Sequence, residues 1–164
     1  PKTPSHVFNP TLRHPSASPQ APLQADLAVV IGHGALPLYR VRPYANTEVP
    51  ILPVVVRDID VMIGPKLGSP GPCLRCLHLT FTDADDRWPV LATQLASTTN
   101  TAIDPVVTHV AAALITHQLI AITDRRPNAV ERLSLHVDGI HPVPRHQEWK
   151  PHPRCGCQLS HLAA

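Results

Sequence analysis

The sequence predicts an α/β chain folded around a mixed sheet, and three stretches carry that expectation. "ADLAVVIG" (25–32) is a continuous apolar run ended by glycine, the pattern of a strand buried on both faces of a parallel sheet. "VPILPVVVRDIDVMIGPKL" (49–67) holds two further apolar runs about a polar break. "DPVVTHVAAALITHQLIAI" (104–122) opens on a helix-starting pair and then stays apolar for about five turns. At 164 residues, 43% of them apolar, the chain is one domain long and can bury a real core.

In chain order, residues 1–24 mix Pro, Ser, Gln and Ala, with six of the 20 prolines, and read as a disordered linker. The start, "PKTPSHVFNP", lacks an initiator methionine and the apolar stretch of a signal peptide, so it reads as part of a processed or longer product. After the first strand, "GHGALPLYRVRPY" is an irregular crossover, because its prolines oppose a good helix. Strands follow over 51–57 and 60–67, with Asp58 near a tight turn. "DRWPVLATQLAS" places Trp88, Leu91 and Leu95 at helical spacing.

The next helix has Asp104 as N-cap and Pro105 at its first position, where the missing N–H costs nothing. Val106, Val107, Val110, Leu114, Gln118 and Ala121 line one face, and the other is also poor in polar groups. Such a helix belongs in an interior. "RLSLHV" and "IHPVPRHQ" form a hairpin turning at Asp138-Gly139, and residues 159–164 form a tail.

Charge and hydropathy exclude some function classes. A formal charge of +2, with no basic stripe, gives no case for nucleic acid or an acidic membrane surface. The apolar stretch 106–122 is slightly short for a bilayer span and contains His109, Thr116, His117 and Gln118. The expectation is a soluble, cytoplasmic protein.

The chemistry-bearing residues are the four cysteines, in "PCLRC" (72–76) and "HPRCGC" (152–157). Structural zinc is the first reading: Cys73, Cys76, Cys155 and Cys157 supply two thiolates per pair to one tetrahedral ion, with Gly156 at positive φ to turn its neighbours together. A variant puts His152 in place of one cysteine. Disulfides are a second reading, disfavoured by a cytosolic setting. A redox dithiol at Cys73/Cys76 is the third; such motifs usually open a helix, and Leu77-His78-Leu79 reads as alternation. Four thiolates leave no open coordination position, which makes the zinc structural and not catalytic.

The other candidates have plainer explanations. "IGHGAL" (31–36) lacks the third glycine of a dinucleotide loop and has Pro37 at the helix start, so a strand-to-loop turn is expected. "DADD" (83–86) reads as the solvated N-terminus of a helix. His109 and His117 read as hydrogen-bonded core histidines. No Ser/His/Asp set and no Walker loop can be assembled from the sequence, so no catalytic or nucleotide-binding residue is assigned.

"GPKLGSPGPCLRCLHLTFTDADDRWPVLATQLA", the apolar helix and "WKPHPRCGC" together resemble the C-terminal half of ThiF-like proteins, relatives of the ubiquitin-activating enzymes. The likeness runs over residues 25–158 and is strongest to the branch associated with thiazole/oxazole-modified microcin (bacteriocin) biosynthesis. It implies a Rossmann-like, ThiF-type mixed sheet, incomplete at the N-terminus, with one zinc on Cys73, Cys76, Cys155 and Cys157. The implied partners are a precursor peptide and a YcaO-type cyclodehydratase, and a homodimer is left open. In active members the nucleotide loop and catalytic Arg and Lys precede the segment matched here, and a magnesium-binding Asp follows a "DLVLD"-like strand. On "DLAVVIGH" that position falls near His33, and no carboxylate stands between Asp26 and Glu48, which argues against ATP/Mg²⁺ chemistry by this chain alone.

The expected function is therefore a non-catalytic partner or scaffold protein in modified-peptide biosynthesis. The alternatives are the C-terminal part of an ATP-dependent ThiF-family adenylyltransferase and a zinc-ribbon interaction module.

Overall fold

A computed structural model describes residues 25–44, 47–68, 71–97 and 103–157. The segments read as linker (1–24) and tail (159–164) lie outside the described residues. Strands β1 (Ala28–His33), β2 (Ile51–Val56), β3 (Asp60–Ile63), β4 (Leu133–Asp138) and β5 (Arg145–Glu148) form a sheet whose spatial order is the chain order. β1 and β2 are parallel and each later pair is antiparallel, so the sheet is mixed, as the sequence led us to expect. The α-helices are α1 (Leu38–Val41), α2 (Leu74–Ala84), α3 (Trp88–Ala96) and α4 (Pro105–Thr123).

Strand alternation sorts the apolar side chains onto two faces. Leu52, Val54, Val61, Ile63 and Val137 meet Val107 and Ala111 of α4. Ala28, Val55 and Met62 belong to a second core with Leu74 and Leu77 of α2 and with Trp149. Phe81 of α2 packs edge-on against Trp149 and lies 4.6 Å, centroid to centroid, from Trp88 of α3. The polypeptide on either side of the sheet thus has its own core, and the cysteines belong to the α2 side.

Several expectations need correction. Among the described residues β1 is an edge strand and is not buried on both faces: Val29 and Ile31 are 37% and 51% exposed. They stand in register with Leu52 and Val54, but α4 lies over β3 and β4 and leaves them at the rim. β3 ends at Ile63, short of the expected 67, after which Leu67 returns to Ile51 in a single bridge. The crossover contains α1 followed by a 3-10 turn, Arg42–Tyr44.

α4 starts as the sequence indicates: the Asp104 carboxylate accepts the Val106 N–H at 2.6 Å, with Pro105 in the first turn. It is long and apolar enough to cross a membrane by length and composition, with mean hydropathy 1.6, yet one face lies on the sheet. That contact buries Val107, Ala111, Gln118 and Ala121 only. Val106 is 70% exposed and Val110 is exposed as well, so the helix is one-sided rather than interior. A single helix laid on one sheet face has a single packing partner. His109 and His117 are consequently surface residues, not core ones. The predicted hairpin exists, but six residues separate β4 from β5. In place of a two-residue turn, the Asp138 carboxylate accepts the N–H groups of Ile140 and His141, each at 2.8 Å.

Candidate metal centre

Cys73 is the N-cap residue of α2 and Cys76 lies in its first turn, so "PCLRC" is a helix start after all. The apparent Leu77-His78-Leu79 alternation misleads because α2 is only partly covered: Leu77 is buried, while His78 and Leu79 are half-buried on the helix flank. Cys155 and Cys157 arrive on the irregular arm after β5, and Gly156 between them adopts φ +71°. That left-handed conformation is the one glycine adopts without strain, and it turns both flanking thiols the same way.

All four Sγ atoms lie within 4.8 Å of one another. Sγ separations are 3.7 Å for Cys73–Cys76, 3.4 Å for Cys73–Cys155 and 3.4 Å for Cys76–Cys157. A tetrahedron with metal–sulfur bonds of about 2.3 Å has edges of about 3.8 Å, so the cluster fits a single ion with small adjustments. None of the four is in a disulfide, and the separations far exceed the roughly 2 Å of an S–S bond. Burial and the neighbouring thiols push the Cys73 thiol up from its ordinary value. A redox CxxC needs the opposite, a lowered thiol pKa. With the helix start present, what weighs against a redox role is the partial burial of the thiols, Cys76 and Cys155 buried and Cys73 and Cys157 half-buried. A cation entering the cluster would displace thiol protons, which makes its affinity rise with pH.

His152 is not placed as a ligand. Its Nε2 donates to Asp83 Oδ2 at 2.8 Å and its Nδ1 accepts the Arg154 N–H at 3.1 Å, so both ring nitrogens are engaged. Asp83 also accepts a hydrogen bond from the Arg154 guanidinium. The His152 hydrogen bond, with the Arg154 charge, holds the Asp83 carboxyl below its usual range. "DADD" is not a helix N-terminus: Asp83 lies in the last turn of α2, which ends at Ala84, Asp85 is its C-cap, and Arg87 is the N-cap of α3. "IGHGAL" is a turn, as expected. Gly34 sits at φ +64°, and a Cβ there would come within 2.9 Å of Leu95 Cβ, so α3 occupies the space above the turn.

One polar set had no signal in the sequence. Asp60 Oδ2 lies 3.2 Å from His136 Nδ1, and His136 Nε2 lies 2.9 Å from Ser134 Oγ. These are the partners of a hydrolytic triad, but Ser134 is 0% exposed and receives the Trp149 indole N–H at 2.8 Å. Arg57 binds Asp60 bidentately, at 2.6 Å twice. With its hydroxyl sealed and its carboxylate neutralised, the set joins β3 to β4 and to Trp149 and has no surface on which to meet a substrate.

The sequence matches no family model and no curated protein. The fold does have solved counterparts. One is the E. coli microcin synthetase McbBCD complex, with TM-score 0.59 and 14% identity, covering 84% of this chain and 55% of that one. Another is E. coli MccB with succinimide, with TM-score 0.54 and 16% identity, covering 79% of this chain and 38% of that one. E. coli MccB with AMPCPP and MccA gives TM-score 0.53 and 14% identity, over 79% and 39%. At these identities the likeness is one of fold. The chain spans 38% to 55% of the length of these structures.

Proposed function

We propose that this chain is a ThiF-like partner protein of modified-peptide biosynthesis, stabilised by one structural zinc and not catalytic by itself. The observation that carries the reading is the pairing of a four-cysteine cluster with a fold whose counterparts include a microcin synthetase complex. Cys73, Cys76, Cys155 and Cys157 would hold the ion. Zinc suits them because an all-thiolate tetrahedron selects soft, four-coordinate metals and zinc brings no redox chemistry to a structural site. Once bound, it supplies a cross-link between the start of α2 and the C-terminal arm.

The role assigned is recognition of a precursor peptide or of a cyclodehydratase, in the cytoplasm. Support for a non-catalytic role comes from the parallel pair β1–β2. Its carboxyl end, where α/β sheets bind ligands, carries His33 and Gly34 beneath α3, with no carboxylate between Asp26 and Glu48. The test is ATP–pyrophosphate exchange by the purified chain with a Cys/Ser/Thr-rich peptide encoded beside its gene, alone and with a neighbouring YcaO-type protein. The expected result is no exchange by the chain alone and a stable complex with the peptide or the YcaO-type protein on gel filtration. Exchange by the chain alone overturns the proposal.

A second reading is the C-terminal part of an ATP-dependent adenylyltransferase. It is favoured by the nucleotide complexes among the similar structures, MccB with ATP and with AMPCPP. A G-x-G-x-x-G strand–loop–helix encoded upstream of residue 1 would select it.

A further inference from the structure

Two of the four thiols sit on an arm with no secondary structure of its own. β5 ends at Glu148, and the described chain beyond it, through Cys157, is irregular. Trp149 anchors its base, through a backbone N–H to Arg132 O at 2.8 Å and the indole N–H to Ser134. Beyond that, and apart from the thiols themselves, a carboxylate of α2 engages the distal part of the arm. Asp83 stands about two turns along the helix from Cys76 and accepts from His152 and from Arg154, one oxygen each. His152 in turn fixes the backbone next to the first distal thiol. Its Nδ1 accepts the Arg154 N–H, and its carbonyl accepts the Cys155 N–H at 2.9 Å.

We propose that Asp83 is a positioning residue for the cysteine centre. It holds the His152–Arg154 turn so that Cys155 and Cys157 face Cys73 and Cys76 before any ion arrives. This rests on the reading that the cluster holds a metal. An exposed ion pair alone contributes little to stability. What Asp83 adds is geometric: one rigid helix presents both halves of the site, Cys73 and Cys76 directly and the other two through a carboxylate on the same helix. It also sets the His152 tautomer, because the carboxylate takes Nε2–H and leaves Nδ1 to accept.

The test uses the full chain loaded with zinc and follows metal transfer to a chromogenic chelator. Asp83→Asn should release zinc roughly 10-fold faster than wild type or more, and Asp83→Glu should restore part of the difference. Asp86→Asn is the control, because it removes a neighbouring charge that does not touch the arm, and it should release at the wild-type rate. Thermal midpoints of the metal-free proteins should agree between wild type and Asp83→Asn, while those of the loaded proteins diverge. A loaded Asp83→Asn chain that releases zinc at the wild-type rate overturns this inference alone. So does one whose midpoint falls equally with and without metal. A wild-type chain that takes up no metal overturns the metal reading and this inference together.

Discussion

Asp60 shows how a residue's neighbours, rather than its burial, set its charge. Burial pushes its carboxyl up, but hydrogen bonds from His136 and Arg57 and the Arg57 charge outweigh that and leave it below the ordinary 3.8. A lowered carboxyl contributes stability that is complete above the unfolded value and is lost as pH falls through the folded one. Wild type should therefore lose stability on acidification below about pH 4, and Asp60→Asn should show a shallower acid limb in urea titrations. At neutral pH the same change strands Arg57 and should cost about 3 kcal/mol, read from the urea midpoint. An unchanged midpoint would show that the bidentate pair contributes nothing net. Trp149→Phe keeps the ring beside Phe81 but removes the N–H donated to Ser134, and should cost about 1–2 kcal/mol. None of this could be read from sequence. Asp60 and His136 are 76 residues apart and meet only because β3 pairs with β4. Each alone looks like an ordinary polar residue in a strand.

At the level of elements, local chemistry was legible and coverage was not. Asp104-Pro105 marked the start of α4 because capping depends on adjacent residues. How many sides of α4 would be buried depends on what else packs nearby, which composition does not reveal. The consequence is testable with paired substitutions. Val106→Lys should change stability by less than about 0.5 kcal/mol, whereas Val107→Lys, one residue on, should cost about 3 kcal/mol or more, read by thermal or urea unfolding. Equal effects would mean that α4 is covered on both faces in solution. α2 was missed for a related reason: its half-covered flank imitates strand alternation over Leu77-His78-Leu79. The parallel pairing of β1 was anticipated from its unbroken apolar run, yet a run cannot say whether a strand lies at the centre or the edge.

Across the whole molecule, the two cores give the cysteine centre a defined reach. The core under α4 is made by β2, β3, β4, α4 and Val130 of the 3-10 turn Ala129–Glu131, and its buried residues include no cysteine. The core on the α2 side holds Leu74, Leu77 and Trp149, which neighbour the cysteines in sequence. The spacing of "CLRC" and "CGC" was enough to group the four thiols, because paired cysteines with a turn between them have few ways to be satisfied. Which core they staple depended on the path of α2, and that was not legible. Metal bound only by the folded state adds stability by mass action, about 4 kcal/mol at a thousand times its dissociation constant. That stabilisation should be unequal across the fold, because local opening involves only the segments the ion joins. If the cluster holds the proposed ion, chelation of the zinc-loaded chain should speed amide exchange in the first turn of α2 and over residues 149–157, while exchange in β2, β3 and α4 changes little. Cys155→Ser should reproduce the pattern with no chelator present. A uniform loss of protection across both cores would show instead that the centre governs global stability, and that the two faces of the sheet fold as one unit.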